Sequence, residues 1–358
     1  MARPGLFRFH AVPARWYRQG NSSRLERRFQ MRCIFLLFLL AGLFPLTPAW
    51  SKWYKGSTHT HTINSDGDST PDEVARWYKE HRYNFVVISD HNFLTDVSGL
   101  NAVMAAREKF LVLSGEEITD GFTNPEGRSF AIHLNAINLG QVIPPAGGKS
   151  VVEVLQANVN AINSTGAVGH INHPNFRWSL TLKDMLAVSD YRLYEIANAH
   201  PAVNNAGGGG IISTEAMWDS LLTRGKLVFG VASDDAHHFQ KWGPQFANPG
   251  RGWVWVRCDS LEKNALSQAL NRGDFYSSTG VTLKDVVIDD KSMTVEIEQE
   301  EQTRYTVYFI GREGKVLSSD YDNPAVYNFT GREGYVRAKV ADSNGWLAWT
   351  QPCIVKLR

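Results

Sequence analysis

Cysteine is scarce in this chain, with three in 358 residues and no Cys-x-x-Cys spacing. That excludes a cysteine-built zinc or redox site and a small disulfide-stapled fold. An excess of one charge sign is also missing, since 37 Lys and Arg face 36 Asp and Glu. No apolar run reaches the roughly 20 residues that cross a bilayer as a helix; the longest, CIFLLFLLAGLFPL, occupies 33–46. Internal repeats and long low-complexity tracts are absent, and the glycines at 207–210 make one short flexible loop. What remains is 43% hydrophobic and 20% charged, a composition that excludes disorder. At this length it allows one large α/β domain with an appendage, or two ordinary domains.

The balanced charge hides an asymmetry. Residues 1–32 hold eight Arg and one acid, Glu26, a net of +7, which leaves −6 for the rest. A mildly acidic body argues against a surface that binds nucleic acid by neutralising phosphates, so no stable nucleic-acid partner is expected. The basic stretch, the apolar run and then Thr47-Pro48-Ala49 match a secretory signal peptide cleaved near Ala49. Met31 directly precedes the apolar core and is expected to be the true start. Residues 1–49 are thus read as an N-terminal extension plus signal peptide. The mature chain is secreted or periplasmic, without membrane contact after cleavage. Cys258 and Cys353 then either pair or stay as two buried thiols.

Over 53–283, β-branched and aromatic runs alternate with segments of helical period, the pattern of βα units on a parallel sheet. Strands are expected at 57–62, 85–89, 111–114, 130–137, 167–171, 193–197 and 227–232. The first helix is marked by Thr70-Pro71-Asp72-Glu73, which combines an N-cap, Pro at the first turn and a capping box. Beyond about 282 helical periods vanish. Alternating runs at 295–297, 305–309, 325–329 and 335–341 point to a small antiparallel β-sandwich domain over 284–358.

The sharpest local signal is Thr58-His59-Thr60-His61-Thr62, followed by Ser65-Asp66-Gly67. On a strand His59 and His61 share a face and can offer two imidazoles to one metal. Alone the pattern is weak, but ligand-type residues recur near the ends of later strands, where barrel sites collect. They are Asp90-His91, Gly115-Glu116-Glu117, His133, His173 and Ser233-Asp234-Asp235-Ala236-His237. Alternation along an extended segment lets only one of Glu116 and Glu117, and one of Asp234 and Asp235, face such a centre.

This ordered set resembles the PHP superfamily, named for polymerase and histidinol phosphatase. The resemblance covers roughly 53–283. Ser233-Asp234-Asp235-Ala236-His237 and the tail through Trp349-Thr350-Gln351-Pro352 resemble its CehA/McbA-type metallohydrolase branch. The resemblance implies a distorted seven-stranded β/α barrel with two or three divalent metals. His59, His61, Glu117 and Asp235 would hold one ion, with Glu117 bridging to a second on His133 and His173. Asp66, His91 and His237 would hold a third. The family spacing selects Glu117 over Glu116, Asp235 over Asp234, and His173 over His170. Asp90 is then an acceptor standing behind the ligands. Mixed imidazole and carboxylate sets suit Mn, Fe or Zn better than Ca.

Clustered dications generate hydroxide and clamp charge on substrate oxygens, so Glu117, Asp235 and His237 are read as catalytic. The expected activity is a metal-dependent phosphoesterase acting on a small phosphorylated molecule or nucleotide. The alternatives are a carbamate, amide or ester hydrolase on the same metals, and a non-catalytic metal-stabilised binding module. His170, Arg177, His200 and His238 are candidate substrate contacts, Glu195 and Asn198 are outside candidates at the mouth, and Trp178 is expected to wall the pocket.

Overall fold

The computed structural model describes residues 51–356. The expected leader, with Met31 and Ala49, lies outside them. Local chemistry sets the first helix as expected: α1 (Pro71–Glu80) has Pro at its first turn and the reciprocal Thr70–Glu73 capping box. Its buried face carries Val74, Ala75 and Tyr78.

The first half of the chain runs β1 (Lys52–Ser57), α1, β2 (Phe85–Ile88), α2 (Ser98–Met104), β3 (Leu111–Thr123), β4 (Ser129–Ile137) and α3 (Val151–Thr165). It continues as β5 (Val168–Ile171), α4 (Leu182–Ala187), β6 (Leu193–Asn198), α5 (Thr214–Thr223) and β7 (Phe229–Ser233). These strands lie side by side in chain order. Not all are parallel: β3–β4 and β4–β5 pair antiparallel, while the other neighbours from β1 to β7 are parallel. For β3–β4 the reason is the short turn at 124–128, where Asn124 and Arg128 bond to each other, and β5, which resumes the β3 direction after α3, is antiparallel to β4 in consequence. Five residues cannot make the crossover that a parallel pair requires.

The two ends of this series meet. Thr60 forms a parallel bridge with Ala236, and the His61 N–H donates to the Ala236 carbonyl at 2.9 Å. Lower on β7, side chains replace a ladder. Ser277 Oγ accepts the Ala232 N–H at 3.0 Å, and Gln351 bonds both the N–H and the carbonyl of Gly230 at 2.8 and 2.9 Å. Backbone donors and acceptors on an inner strand are thus satisfied without a neighbouring strand in register.

From β1 the sheet also extends outward through β8 (Trp253–Cys258) and, after α6 (Lys263–Arg272), β9 (Phe275–Ser278). The remaining strands are β10 (Leu283–Ile288), β11 (Ser292–Ile297), β12 (Tyr305–Gly311), β13 (Lys315–Asp320), β14 (Ala325–Asn328), β15 (Tyr335–Asp342), β16 (Leu347–Thr350) and β17 (Cys353–Ile354). Strands β16, β15, β12 and β13 continue the main sheet, whereas β10, β11 and β14 form their own. Tyr276, Met293, Val295, Val307, Phe309 and Val340 belong to one buried cluster that joins the two sheets. A barrel end placed at 283 falls on the first residue of β10.

A buried charge cluster pins the C-terminal strands to α5. Arg337 of β15 donates to both Asp219 oxygens at 2.8 and 2.7 Å and to Glu215 at 2.9 Å. Its guanidinium lies 4.8 Å from the Trp218 ring centroid. Cys258 and Cys353 are both free, which corrects the pairing option in favour of two thiols. Only Cys258 is buried. No helix among the described residues is long and apolar enough to cross a membrane.

Candidate metal centre

The period-two alternation of strands builds the site. One buried cluster gathers Val87 of β2, Leu113 of β3, Ile137 of β4, Val168 of β5, Leu193 of β6 and Val231 of β7. Because these residues meet across the ring, they mark the inward face of each strand. Stepping by two toward the mouth turns each apolar position into a polar one. Leu113 leads through Gly115 to Glu117, Val231 through Ser233 to Asp235, Ile137 through Asn135 to His133, and Val87 through Ser89 to His91. Leu193 leads directly to Glu195.

The same parity separates the neighbouring acids. Glu116 faces the other way and accepts the Ile143 N–H at 2.8 Å. Asp234 accepts from the Tyr78 hydroxyl and from the backbone of Arg251 and Gly252 at 2.7–2.9 Å. The geometry thus gives the mouth to Glu117 and Asp235. His59 and His61 reach it differently from the expectation, because β1 ends at Ser57. Both stand on the irregular segment just past the strand, held by the bridge to Ala236.

Three groups of donors converge there: His59, His61, Glu117 and Asp235; His91, Glu117 and His133; and His61, Asp66, His91 and His237. In the first, His59 Nε2 lies 3.1 Å from His61 Nε2, 3.3 Å from Glu117 Oε2 and 3.2 Å from Asp235 Oδ1. His61 Nε2 is 3.2 Å from each of the same two oxygens. Donors around a tetrahedral dication with bonds of about 2.0–2.2 Å stand roughly 3.3–3.6 Å apart. In the second, Glu117 Oε1 lies 3.0 Å from His133 Nδ1; the same oxygen is 3.2 Å from Nε2 of His173, which the group does not include. In the third, Asp66 lies 3.3 Å from His237 Nε2 and 3.5 Å from His91 Nε2. Every ligand named from the sequence is therefore brought to one place, with His61, His91 and Glu117 each serving two groups and His173 standing beside Glu117 outside the three.

The residues fit metal ions. Glu117 Oε2 is buried and has no hydrogen-bond partner, although three imidazole nitrogens face it at 3.0–3.3 Å. An ionised carboxylate oxygen in that position calls for a cation. Burial alone would raise the Glu117 carboxyl, but His59, His91 and His133 hold it well below its ordinary range. Asp235 is held down likewise against its burial by His59, His61 and His237. Burial would lower the His237 ring, yet Asp66 and Asp235 lift it to about 9. Positive charge is thus demanded, by protons on the rings or by dications that displace them.

Neighbouring residues orient the donors. Glu195 Oε1 lies 2.8 Å from His59 Nδ1, which turns the Nε2 lone pair into the site. Glu195 also accepts the His173 N–H at 2.7 Å and the Asn198 amide at 2.9 Å. Asn172 donates to Glu117 Oε1 at 2.8 Å and to Asn135 at 2.9 Å. Asp90 accepts from the Thr62 N–H, Ser65 Oγ and Thr95 Oγ1 at 2.7–2.9 Å, so it braces the loop that carries Asp66. His173 and Asp235 both have positive φ, at 20° and 48°. Such conformations cost of order 1 kcal/mol each and collect at functional sites.

The substrate candidates separate. His200 reaches the mouth, with its ring 5.5 Å from that of His237. His170 is 1% exposed, packs edge-on against His59 and has no hydrogen bond at either nitrogen. It is a core histidine without access for substrate, contrary to that expectation. The His238 ring turns to Phe246, 5.1 Å away. Arg177 is exposed, with its guanidinium 5.1 Å from the Phe176 ring. Trp178 packs toward Gly208 instead of the donors. The wall expected from it is supplied by Phe176, whose ring lies 5.1 Å from His173 and 6.2 Å from His133. In sequence Phe176 is one more apolar residue after a His-Pro step, and nothing marks its direction.

No family model matches the chain, and no curated protein matches it. Solved structures do. A two-domain Bacteroides vulgatus protein, described as containing a PHP-like metal-dependent phosphoesterase, is 13% identical over 85% of this chain and 96% of its own, with a TM-score of 0.45. A candidate metal-dependent phosphoesterase from Bifidobacterium adolescentis is 15% identical over 54% and 89%, with a TM-score of 0.37. An amidohydrolase from Chromobacterium violaceum, solved with sulfate and no metal, is 14% identical over 52% and 88%, with a TM-score of 0.36. These likenesses are distant, and the site's own geometry carries its chemistry.

Proposed function

We propose that this protein is a PHP-type metal-dependent hydrolase that cleaves a phosphate ester of a small molecule or nucleotide. The observation that carries the reading is Glu117, a buried carboxylate whose two oxygens face five imidazoles and one of which lacks any hydrogen bond. His59, His61, Asp235, His133, His173, Asp66, His91 and His237 would hold two or three divalent ions around it. Such ions activate water and neutralise charge gathering on the oxygens of the scissile group. Around them, the chain supplies orientation. Glu195 fixes the His59 tautomer, Asn172 fixes Glu117, and Asp90 braces the Asp66 loop. Phe176 would form an apolar wall on one side of the mouth, its ring 5.1 Å from that of His173.

The reading includes a distorted seven-stranded barrel over 53–283, a C-terminal β-sandwich over 284–358, the CehA/McbA-type branch and a secreted or periplasmic location. The test is purified protein reconstituted with Mn²⁺ and assayed on a phosphomonoester, a phosphodiester and an aryl carbamate, with Asp235→Asn as control. Phosphate release that needs metal and disappears in the control is the expected result. Carbamate turnover without phosphoester turnover would move the activity to a carbonyl centre.

A further inference from the structure

His200 stands at the mouth without belonging to any of the three donor groups. It follows β6 by two residues, and its placement is fixed from both ends. Its backbone N–H donates to Asn198 Oδ1 at 2.8 Å. The Asn198 amide nitrogen reaches Asp235 Oδ2 at 3.1 Å and Glu195 Oε2 at 2.9 Å. One side chain therefore ties His200 to a metal-ligand candidate and to the carboxylate behind His59.

The ring itself is also held. His200 Nδ1 accepts the Ala202 N–H at 3.1 Å. A nitrogen that accepts has no proton, so in the neutral ring the proton sits on Nε2. Nε2 then lies on the side of the ring opposite its own turn. The ring is perpendicular to those of Phe176 and His237, at 6.3 and 5.5 Å between centroids. This tautomer carries an N–H and no lone pair at Nε2, on a ring that stands beside His237, so it suits an oxygen and does not suit a metal.

We infer that His200 is a substrate-binding residue whose Nε2–H donates a hydrogen bond to a phosphoryl oxygen of the bound ester. The inference rests on the phosphoester reading. No proton is transferred: His200 holds an oxygen that the ligand cluster leaves uncovered, and Asn198 keeps that donor in fixed register with Asp235. The role also gives His200 and Phe176 separate tasks on one wall, the first polar and directional, the second apolar.

The test compares the parent protein with His200→Ala and His200→Gln, using inorganic phosphate as the probe. Calorimetric Kd for phosphate, metal content and thermal midpoint are measured together on Mn²⁺-loaded protein. A hydrogen bond to a charged oxygen corresponds to about a tenfold or larger change in affinity. The expected result is that loss of phosphate affinity in the Ala variant, partial recovery in the Gln variant through its amide N–H, and unchanged metal content in both. Affinity within twofold of the parent in the Ala variant overturns the assignment, and so does loss of metal, which would make His200 a ligand. If the parent binds metal but no phosphate, the phosphoester reading falls and His200 falls with it. If the parent binds phosphate and the variants do not differ, only His200 is wrong.

Discussion

Glu195 and His59 meet through a 2.8 Å contact between Oε1 and Nδ1, both residues fully buried. Every other neighbour of this carboxylate also donates: Ser233 Oγ at 2.5 Å, the His173 N–H at 2.7 Å and the Asn198 amide at 2.9 Å. Four donors use the whole accepting capacity of an ionised carboxylate. Against its burial, His59 and the other nearby rings hold Glu195 ionised, with its pKa down at about 2.

Glu195→Gln turns an NH₂ group toward donors that have nowhere else to go. It also replaces the charged acceptor that holds the proton on His59 Nδ1 with a neutral amide, weakening the preference that leaves Nε2 as the free lone pair of the neutral ring. Loss of such a partner typically lowers metal affinity about 10–100-fold, and that drop is expected here. Chelator competition on the parent and the variant measures it. Equal affinities would show that His59 needs no partner to be a ligand.

Much of this site was legible in the ordered set of ligand-type residues and its resemblance to a family. Parity alone said that one of Glu116 and Glu117, and one of Asp234 and Asp235, faces the centre; the resemblance selected Glu117 and Asp235, and in the structure these share the parity of the inward Leu113 and Val231. His91 and His133, also named through the resemblance, share the parity of the inward Val87 and Ile137. Glu195 was harder to weigh, since its partner His59 is 136 residues away and closure of the ring alone brings them together. The antiparallel β3–β4 pair was missed because the expected third strand stopped at 114, where polar residues begin. Glu117 among those polar residues faces the donor cluster, so polarity there marks the site and not the end of the strand. Phe176 was missed for a related reason, because its direction depends on a loop that pairs with Val203.

Arg337→Ala is expected to destabilise the protein by about 3–5 kcal/mol, the usual consequence of removing one partner of a buried ion pair. The side chain is 1% exposed and neutralises Asp219 and part of Glu215. Lys339 reaches only Glu215, at 2.6 Å, so Asp219 would keep the Tyr335 hydroxyl as its remaining partner there. Arg337→Met keeps volume without charge and leaves Asp219 equally uncompensated. Chemical denaturation of the three proteins decides the matter. A loss below 1 kcal/mol in both variants would show that water enters and solvates Asp219.

Gly67→Ala tests whether the outermost donor group is separable from the inner ones. A Cβ on Gly67 would lie 2.8 Å from the His61 carbonyl oxygen and 2.9 Å from Thr62 Cα. Both are backbone atoms and cannot swing aside, so the loop carrying Asp66 must shift. Asp66 is the exposed member of its group, with 56% of its side chain accessible. The expected outcome is loss of metal from the group that includes Asp66, while the group built on Glu117 and Asp235 keeps its own. Elemental analysis after dialysis reads the stoichiometry. Full loss of metal would mean that the groups load as one unit, and no loss would mean that Asp66 is dispensable.

Glu333 gives a pH dependence far from the donor cluster. It is 5% exposed and accepts from the Thr330 N–H at 2.6 Å, the Arg332 N–H at 2.9 Å and the Tyr327 hydroxyl at 3.0 Å. Burial alone would raise this carboxyl, but the Thr330 N–H and the other donors bring it from 4.5 down to about 2. A group depressed on folding contributes stability above its unfolded value and loses it as pH falls through its folded one. The contribution is therefore complete above about 5 and declines from about pH 4.5 to 2. Glu333→Gln is expected to be less stable than the parent at pH 7 and to approach it as pH falls to about 2. Urea midpoints of both proteins at pH 7, 4 and 2.5 isolate the residue, because acid effects elsewhere are common to the pair. Parallel curves down to pH 2.5 would mean that the three donors hold Glu333 no better in the folded chain than water does in the unfolded one.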